Sequence, residues 1–176
     1  MSTPAQTLQS ERLKYPGLLP REIIIFREWL RLHERDFDRF DYNVRVGDGF
    51  DPGPAFDAAT RRMAIANSQK RIDAVAWQGS AVTLIEVKDR AGLSAIGQLI
   101  GYRPLWQQTA SDLLSGRRLP ADEDWQFEIV RRRPATVPEL LLVTNRLQPD
   151  LPVVVESAGI RLNVVEVLFT ELRRGR

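Results

Sequence analysis

The run RIDAVAWQGSAVTLIEVK, residues 71–88, constrains the fold more than any other part of the chain. Both halves are rich in Val, Ile and alternating positions, the pattern of β-strands. Between them lies Gly79-Ser80, and glycine at the first central position is what a two-residue type II′ turn requires. The pattern predicts a hairpin with strands over 71–77 and 81–88 and with Gln78 facing Ala81. Followed along both strands, that register sets Asp73 directly opposite Glu86, with Cβ atoms roughly 4.5–5.5 Å apart. Arg71 falls opposite Lys88, and the two-residue repeat puts Lys88 on the face of Glu86, one pleat further on. Ile85 and Val87 point to the other face, with Ile72 and Ala74 across from them.

The rest of the chain is organised around this hairpin. Residues 1–17 are polar, contain Pro4, Pro16 and Gly17, and are expected to form a flexible arm; 18–170 reads as a single domain and ELRRGR (171–176) as a basic, frayed tail. Pro20 suits a helix start, and Ile23, Phe26, Leu30 and Phe37, widened by Ile24 and Trp29, predict an amphipathic helix over 21–36. A strand is expected at 41–47 and a Gly/Pro loop at 47–56, while 57–70 fits either a short helix or a long excursion. A helix follows at 93–108, kinked or ended by Pro104, then a surface connection over 111–124. Residues 125–133 fit a strand or a helical turn. ELLLVTN (139–145) reads as a buried strand, 149–159 as a short helix closed by Gly159, and 160–168 as a strand parallel to the previous one. Helix, strand, strand, strand, helix, strand, helix, strand is the order of an α/β fold with a mixed central sheet flanked by helices.

Composition narrows the chemistry. A chain of 176 residues, 43% hydrophobic and 27% charged, suits one globular domain. There is no cysteine and one histidine, His33, which excludes disulfide scaffolds, thiolate zinc sites, thiol catalysis and histidine clusters. The N-terminus has no apolar stretch of signal-peptide type and no apolar run reaches membrane-spanning length, so a soluble, cytoplasmic protein without a membrane partner is expected. The net charge of +2 is too mild to establish a nucleic-acid partner. The basic set itself says more: lysine occurs only at 14, 70 and 88, and every other basic residue is arginine apart from His33. A lysine within an apolar strand, in a chain that otherwise uses arginine, marks a site that needs lysine itself.

Two carboxylates side by side repel each other, and when buried one must take a proton or the pair must share a cation. Two carboxylate oxygens, a main-chain carbonyl and water match the preferences of Mg²⁺, which can acidify a bound water and stabilise charge on phosphate. An ammonium beside them can orient the attacking water or stabilise the pentavalent state. Asp73, Glu86 and Lys88 therefore outline a route to phosphodiester hydrolysis. Ordinary salt bridges on half-exposed strands produce the same spacing; the hairpin register, the rarity of lysine and the apolar setting of L-I-E-V-K favour the functional reading.

The segment RIDAVAWQGSAVTLIEVKDRAGLSAIGQLIGY resembles the active-site core of the PD-(D/E)XK nuclease superfamily, in particular Holliday-junction-resolvase-like, RecB-type and phage nucleases. The resemblance implies a restriction-endonuclease-like core with α-β-β-β-α-β order. It also implies a Mg²⁺ (or Mn²⁺) cofactor held by Asp73, Glu86 and the Val87 carbonyl, with Lys88 as the catalytic lysine. Gln98 and Tyr102 match the Q-x-x-x-Y element that RecB-type members carry on the helix after the lysine strand. One departure is Ile72, where many members have proline. Gln98 and Tyr102 share a helix face at i and i+4, and Gly97 and Gly101, equally spaced, would let that helix approach the sheet or a nucleic-acid backbone.

Glu22 offers a further carboxylate, although an acidic residue in a first helical turn is also favoured by the helix dipole. Arg71, Arg131, Arg132 and Arg133 are candidate phosphate contacts, and the arginine run equally suits a solvated surface. Trp77, Trp106 and Trp125 read as core or rim. The expected function is Mg²⁺-dependent hydrolysis of DNA in recombination, repair, restriction or phage metabolism, with a homodimer or a larger phage or repair assembly as possible partners. The alternative is a nuclease-fold DNA-binding or structural subunit without catalysis of its own. The residue pattern does not separate DNA from RNA.

Overall fold

In a computed structural model, which describes residues 13–119, 124–134 and 137–169, Pro20 and Glu22 start the first long helix as their types demand. Proline stands at the first helical position of α1 (Pro20–His33), and Glu22 Oε2 accepts the Leu19 N–H at 2.8 Å. After a 3₁₀ turn at Glu34–Asp36 come β1 (Arg39–Val46), α2 (Ala58–Ser68), β2 (Lys70–Gln78) and β3 (Ala81–Ala91). Then follow α3 (Leu93–Leu114), α4 (Asp124–Arg132), β4 (Glu139–Leu147), α5 (Leu151–Ser157) and β5 (Ile160–Val164). The five strands lie in sequence order; β1–β2 and β2–β3 are antiparallel, β3–β4 and β4–β5 parallel. The molecule is thus α/β, with a mixed sheet covered by helices on both faces.

On one face α1 packs Ile23, Ile25, Phe26 and Trp29 onto Ala74, Ala76, Ile85, Val87, Leu141 and Val143. On the other, α3, α4 and α5 cover Val44, Ile72, Val75, Trp77, Leu84 and Leu142, with Trp106 between Trp77 and Trp125 at ring distances of 5.8 and 5.7 Å. Ile24, expected in the α1 stripe, is exposed, and Ile25 is buried instead.

Two open readings resolve and other expectations change. The 57–70 stretch is helical because Asp57 caps α2, accepting the N–H groups of Ala59 and Thr60, both at 2.9 Å. Residues 125–132 are helix α4, not strand. Pro104 does not end α3, which runs on to Leu114; proline's fixed φ is already helical and only one backbone bond is forgone, on an exposed position. Residues 13–17 are not a loose arm: Tyr15 is buried, edge-on to Phe26 and Tyr42. Residues 1–12 of the expected arm and the tail 171–176 lie outside the described residues. Among the described residues no helix is long and apolar enough to cross a membrane.

One irregularity positions the site. Strict alternation would keep residues 72 and 74 on one face. Instead the Val44–Ile72 pair packs on the α3 side and the Tyr42–Ala74 pair on the α1 side. The switch falls on the residues between them, Asn43, whose φ is +53°, and Asp73.

Candidate active site

The hairpin forms in the expected register: Gln78–Ala81, Trp77–Val82, Ala76–Thr83, Val75–Leu84 and Ala74–Ile85 pair across it. Gly79 has φ +58° and Ser80 is not among the residues of positive φ, which fits a II′ turn and excludes I′. Beyond Ala74–Ile85 the strands part, so Asp73 and Glu86 are not a ladder pair and Arg71 does not face Lys88. Antiparallel hydrogen bonds recur at every second pair, and the next would join Val87 to Ile72. The Val87 N–H instead donates to Asp73 Oδ2 at 2.9 Å. The Asp73 carboxylate thus substitutes for a main-chain carbonyl and sits in the split. The same side switch moves Ile72 to the α3 face, away from Ile85 and Val87.

Four charged side chains meet there. Lys88 Nζ lies 2.7 Å from Glu86 Oε1, 3.6 Å from Glu22 Oε1 and 4.0 Å from Asp73 Oδ2. Glu22 comes from the first turn of α1 and does two jobs, one oxygen capping the helix and the other facing Lys88. Helix-dipole placement alone does not account for it. Glu86 is 1% exposed; neither of its carboxylate oxygens is in a well-aligned hydrogen bond, and the Lys88 ammonium and the Tyr102 phenol are the donor groups that act on it. Fully ionised, three carboxylates and one ammonium leave two negative charges in excess.

The proton affinities follow. Burial, then the charge of Asp73, raises the Glu86 carboxyl well above its ordinary value despite Lys88. Burial also raises Asp73, opposed by Lys88 and by the Val87 N–H. For Lys88, burial favours the neutral amine, but Glu86, Asp73 and Glu22 outweigh it and hold the ammonium protonated.

Tyr102, on the buried face of α3, reaches the same cluster. Burial first, then the charges of Glu86 and Asp73, push its phenol up, so it remains a proton donor, while Gln98 beside it acts in the opposite sense. Gln98 is exposed one turn earlier. Gly97 and Gly101 do not serve close helix–sheet packing, because a Cβ at either position would meet nothing within 4 Å. They leave a bare strip of helix beside a cleft of about 390 Å³ lined by Lys70, Ser94, Gln98, Tyr102 and Leu105. Lys70, one of the three lysines, was not singled out by the pattern, although the same rarity that marks Lys88 marks it too. A larger cleft of about 550 Å³, between α1 and residues 166–168, contains no buried carboxylate pair.

The arginine candidates divide. Arg71 is exposed near the split and pairs with Arg45 of β1. Arg131 and Arg132 are at the opposite, turn end of the hairpin, both bound to Glu128, with Arg132 also held by Asp38 and the Gly79 carbonyl. Arg133 follows α4 with φ +46°. These three do not line the cluster, and the Glu128 spacing to Arg131 and Arg132 is the ordinary i,i+3 and i,i+4 helix pairing. Among the described residues no group of three or more Asp, Glu, His or Cys side chains forms a ready-made metal cage. No family model, curated protein or solved structure matches the chain.

Proposed function

We propose that this chain is a metal-dependent nuclease of the PD-(D/E)XK type that hydrolyses phosphodiester bonds in DNA. The observation that carries the proposal is Glu86, buried beside Asp73, with Lys88 Nζ 2.7 Å away as the cation that faces it and neither oxygen in a well-aligned hydrogen bond. A buried carboxylate in that state is destabilising unless neutralised, and two excess negative charges suit one divalent cation. Asp73, Glu86 and the Val87 carbonyl are the oxygen donors that would hold Mg²⁺ or Mn²⁺. When bound, such an ion acidifies water and stabilises charge on a phosphate.

The protein's own groups supply the rest. Lys88, its side chain 27% exposed, presents a protonated amine at the mouth of the split, where it can donate to a phosphate oxygen as charge develops. Tyr102 keeps its proton and can donate to Glu86 or to phosphate. Gln98 offers an exposed amide on the same helix, and the bare Gly97–Gly101 strip admits a nucleic-acid backbone. The succession α1, β1–β3, α3, β4 supports a restriction-endonuclease-like core. Recombination, repair, restriction and phage metabolism are the settings this activity serves, in the cytoplasm and as a homodimer or within a larger assembly.

The test is incubation of wild type and Lys88→Ala with linear, nicked, branched and single-stranded DNA and with RNA, in Mg²⁺, Mn²⁺ or EDTA. Wild type should cleave DNA only with the cation, and Lys88→Ala should be slower by about 10²–10³-fold. Cleavage by Lys88→Ala at the wild-type rate contradicts the reading. DNA binding by wild type without cleavage of any substrate makes the chain a nuclease-fold binding subunit.

A further inference from the structure

Beside the acidic cluster lies a cleft of the opposite sign. Arg21, Asp89, Arg90, Asn145, Arg146 and Phe169 line a cavity of about 150 Å³. Its one carboxylate is already committed: Asp89 accepts from Arg21 at 3.0 Å and from Asn145 at 3.2 Å. Arg21 is further held over the Phe169 ring, 5.1 Å from its centroid. Arg90 and Arg146 are register partners in the parallel β3–β4 ladder. Like charges on directly facing positions are destabilising, yet both are exposed; neither makes a contact ion pair or side-chain hydrogen bond with a described residue, and Arg146 acts on Asp89 only as a more distant charge, after Arg21 and Asn145. With all four groups ionised, three guanidiniums and one carboxylate leave the cleft two positive charges in excess. The cleft adjoins the cluster through two chain-neighbour pairs, Arg21–Glu22 and Lys88–Asp89, whose Cα atoms are about 3.8 Å apart.

We propose that the Arg21–Arg90–Arg146 cleft is a phosphate-binding subsite that seats a backbone phosphate of the nucleic acid next to the bond cut at Lys88. The choice of substrate rests on the nuclease reading; the cationic cleft does not. Guanidinium forks suit phosphate oxygens. The excess negative charge of the Asp73–Glu86–Glu22 group repels a strand, and the arginine cleft supplies the attraction that brings one alongside.

The test uses the full chain in EDTA, measuring affinity for a short labelled DNA from about 50 to 200 mM salt. Arg90→Ala/Arg146→Ala should bind about tenfold more weakly at the low end, with a salt slope shallower by about 1.8. Its melting temperature should stay level or rise, because a like-charged pair is removed. Arg90→Lys/Arg146→Lys should recover most of the slope, since phosphate neutralisation needs the charge. In Mg²⁺, KM for cleavage should rise with the binding constant while kcat falls less. A wild-type salt slope in the alanine variant overturns the subsite and leaves Lys88-dependent cleavage, and so the nuclease reading, intact. If inorganic phosphate stabilises wild type and not the alanine variant while the DNA slope is unchanged, the cleft takes free phosphate and the proposal is likewise overturned. Absence of cleavage in every protein, with the slope lost as expected, sinks the nuclease reading and keeps the subsite.

Discussion

At its turn end, the β2–β3 hairpin pairs residue for residue from Gln78–Ala81 to Ala74–Ile85, and its polar groups are matched. Trp77 Nε1 donates to Asp41 at 2.7 Å, the Gly79 N–H donates to Asp38 at 2.6 Å, and Arg132 bonds Asp38, Glu128 and the Gly79 carbonyl. At the open end the ladder stops, a side chain takes a backbone bond, and a buried carboxylate is left without an aligned donor. The two ends share one alternating pattern and differ in how their charges are met. The turn end has opposite charges in contact; the open end has three carboxylates around one lysine. The first is built as a stable element is, and the second keeps unmatched charge, as the proposed catalytic role would require.

If that contrast is right, the ends should respond with opposite signs. Trp77→Ala removes a fully buried ring packed against Trp106 and should destabilise the protein by about 3–5 kcal/mol in denaturant unfolding. Gly79→Val forces a β-branched residue to φ +58° and should cost about 1–3 kcal/mol; an unchanged midpoint would mean that the turn relaxes freely. At the open end, Glu86→Gln should stabilise the cation-free protein, by about 1 kcal/mol at pH 8, because it removes a buried negative charge.

The buried carboxylates also set a pH dependence. Folding raises the carboxyls of Asp73 and Glu86 above their unfolded values, so the folded state binds more protons than the unfolded one. Their contribution is fully present below the unfolded carboxyl range, about pH 4, and is lost as pH rises through the elevated folded values. Thermal melts in EDTA should therefore show wild type weakening from mildly acidic to mildly alkaline pH, and Asp73→Asn/Glu86→Gln should lose most of that slope. Parallel slopes would remove the excess charge from the account.

Much of the turn end was legible in the sequence, because Gly79-Ser80 dictates a turn and the alternation around it dictates a register. The open end was legible in its residues and not in its geometry. Asp73, Glu86 and Lys88 do converge, but through a split that alternation cannot show, since it depends on a left-handed Asn43 in the neighbouring strand and on Asp73 capturing the Val87 N–H. Glu22 was visible as a first-turn acid; its reach to Lys88 depends on how α1 lies over the sheet. Gly97 and Gly101 had the spacing of a packing contact and turned out to face open space, because spacing on a helix does not say which face the sheet takes. Arg131 and Arg132 suited either phosphate contacts or a solvated charge run, and pairing with Glu128, one turn earlier, fits the second.

The central claim is that the open end holds a divalent cation between Asp73 and Glu86, and a thermal titration with Mn²⁺ near pH 7.5 addresses it most directly. A ligand that binds only the folded state stabilises it by about 2.7 kcal/mol at a hundredfold excess over its dissociation constant. Wild type should show a saturable rise in melting temperature. Asp73→Asn and Glu86→Gln should start from an equal or higher value in EDTA and rise little. No rise in wild type, or the same rise in all three proteins, would contradict the account.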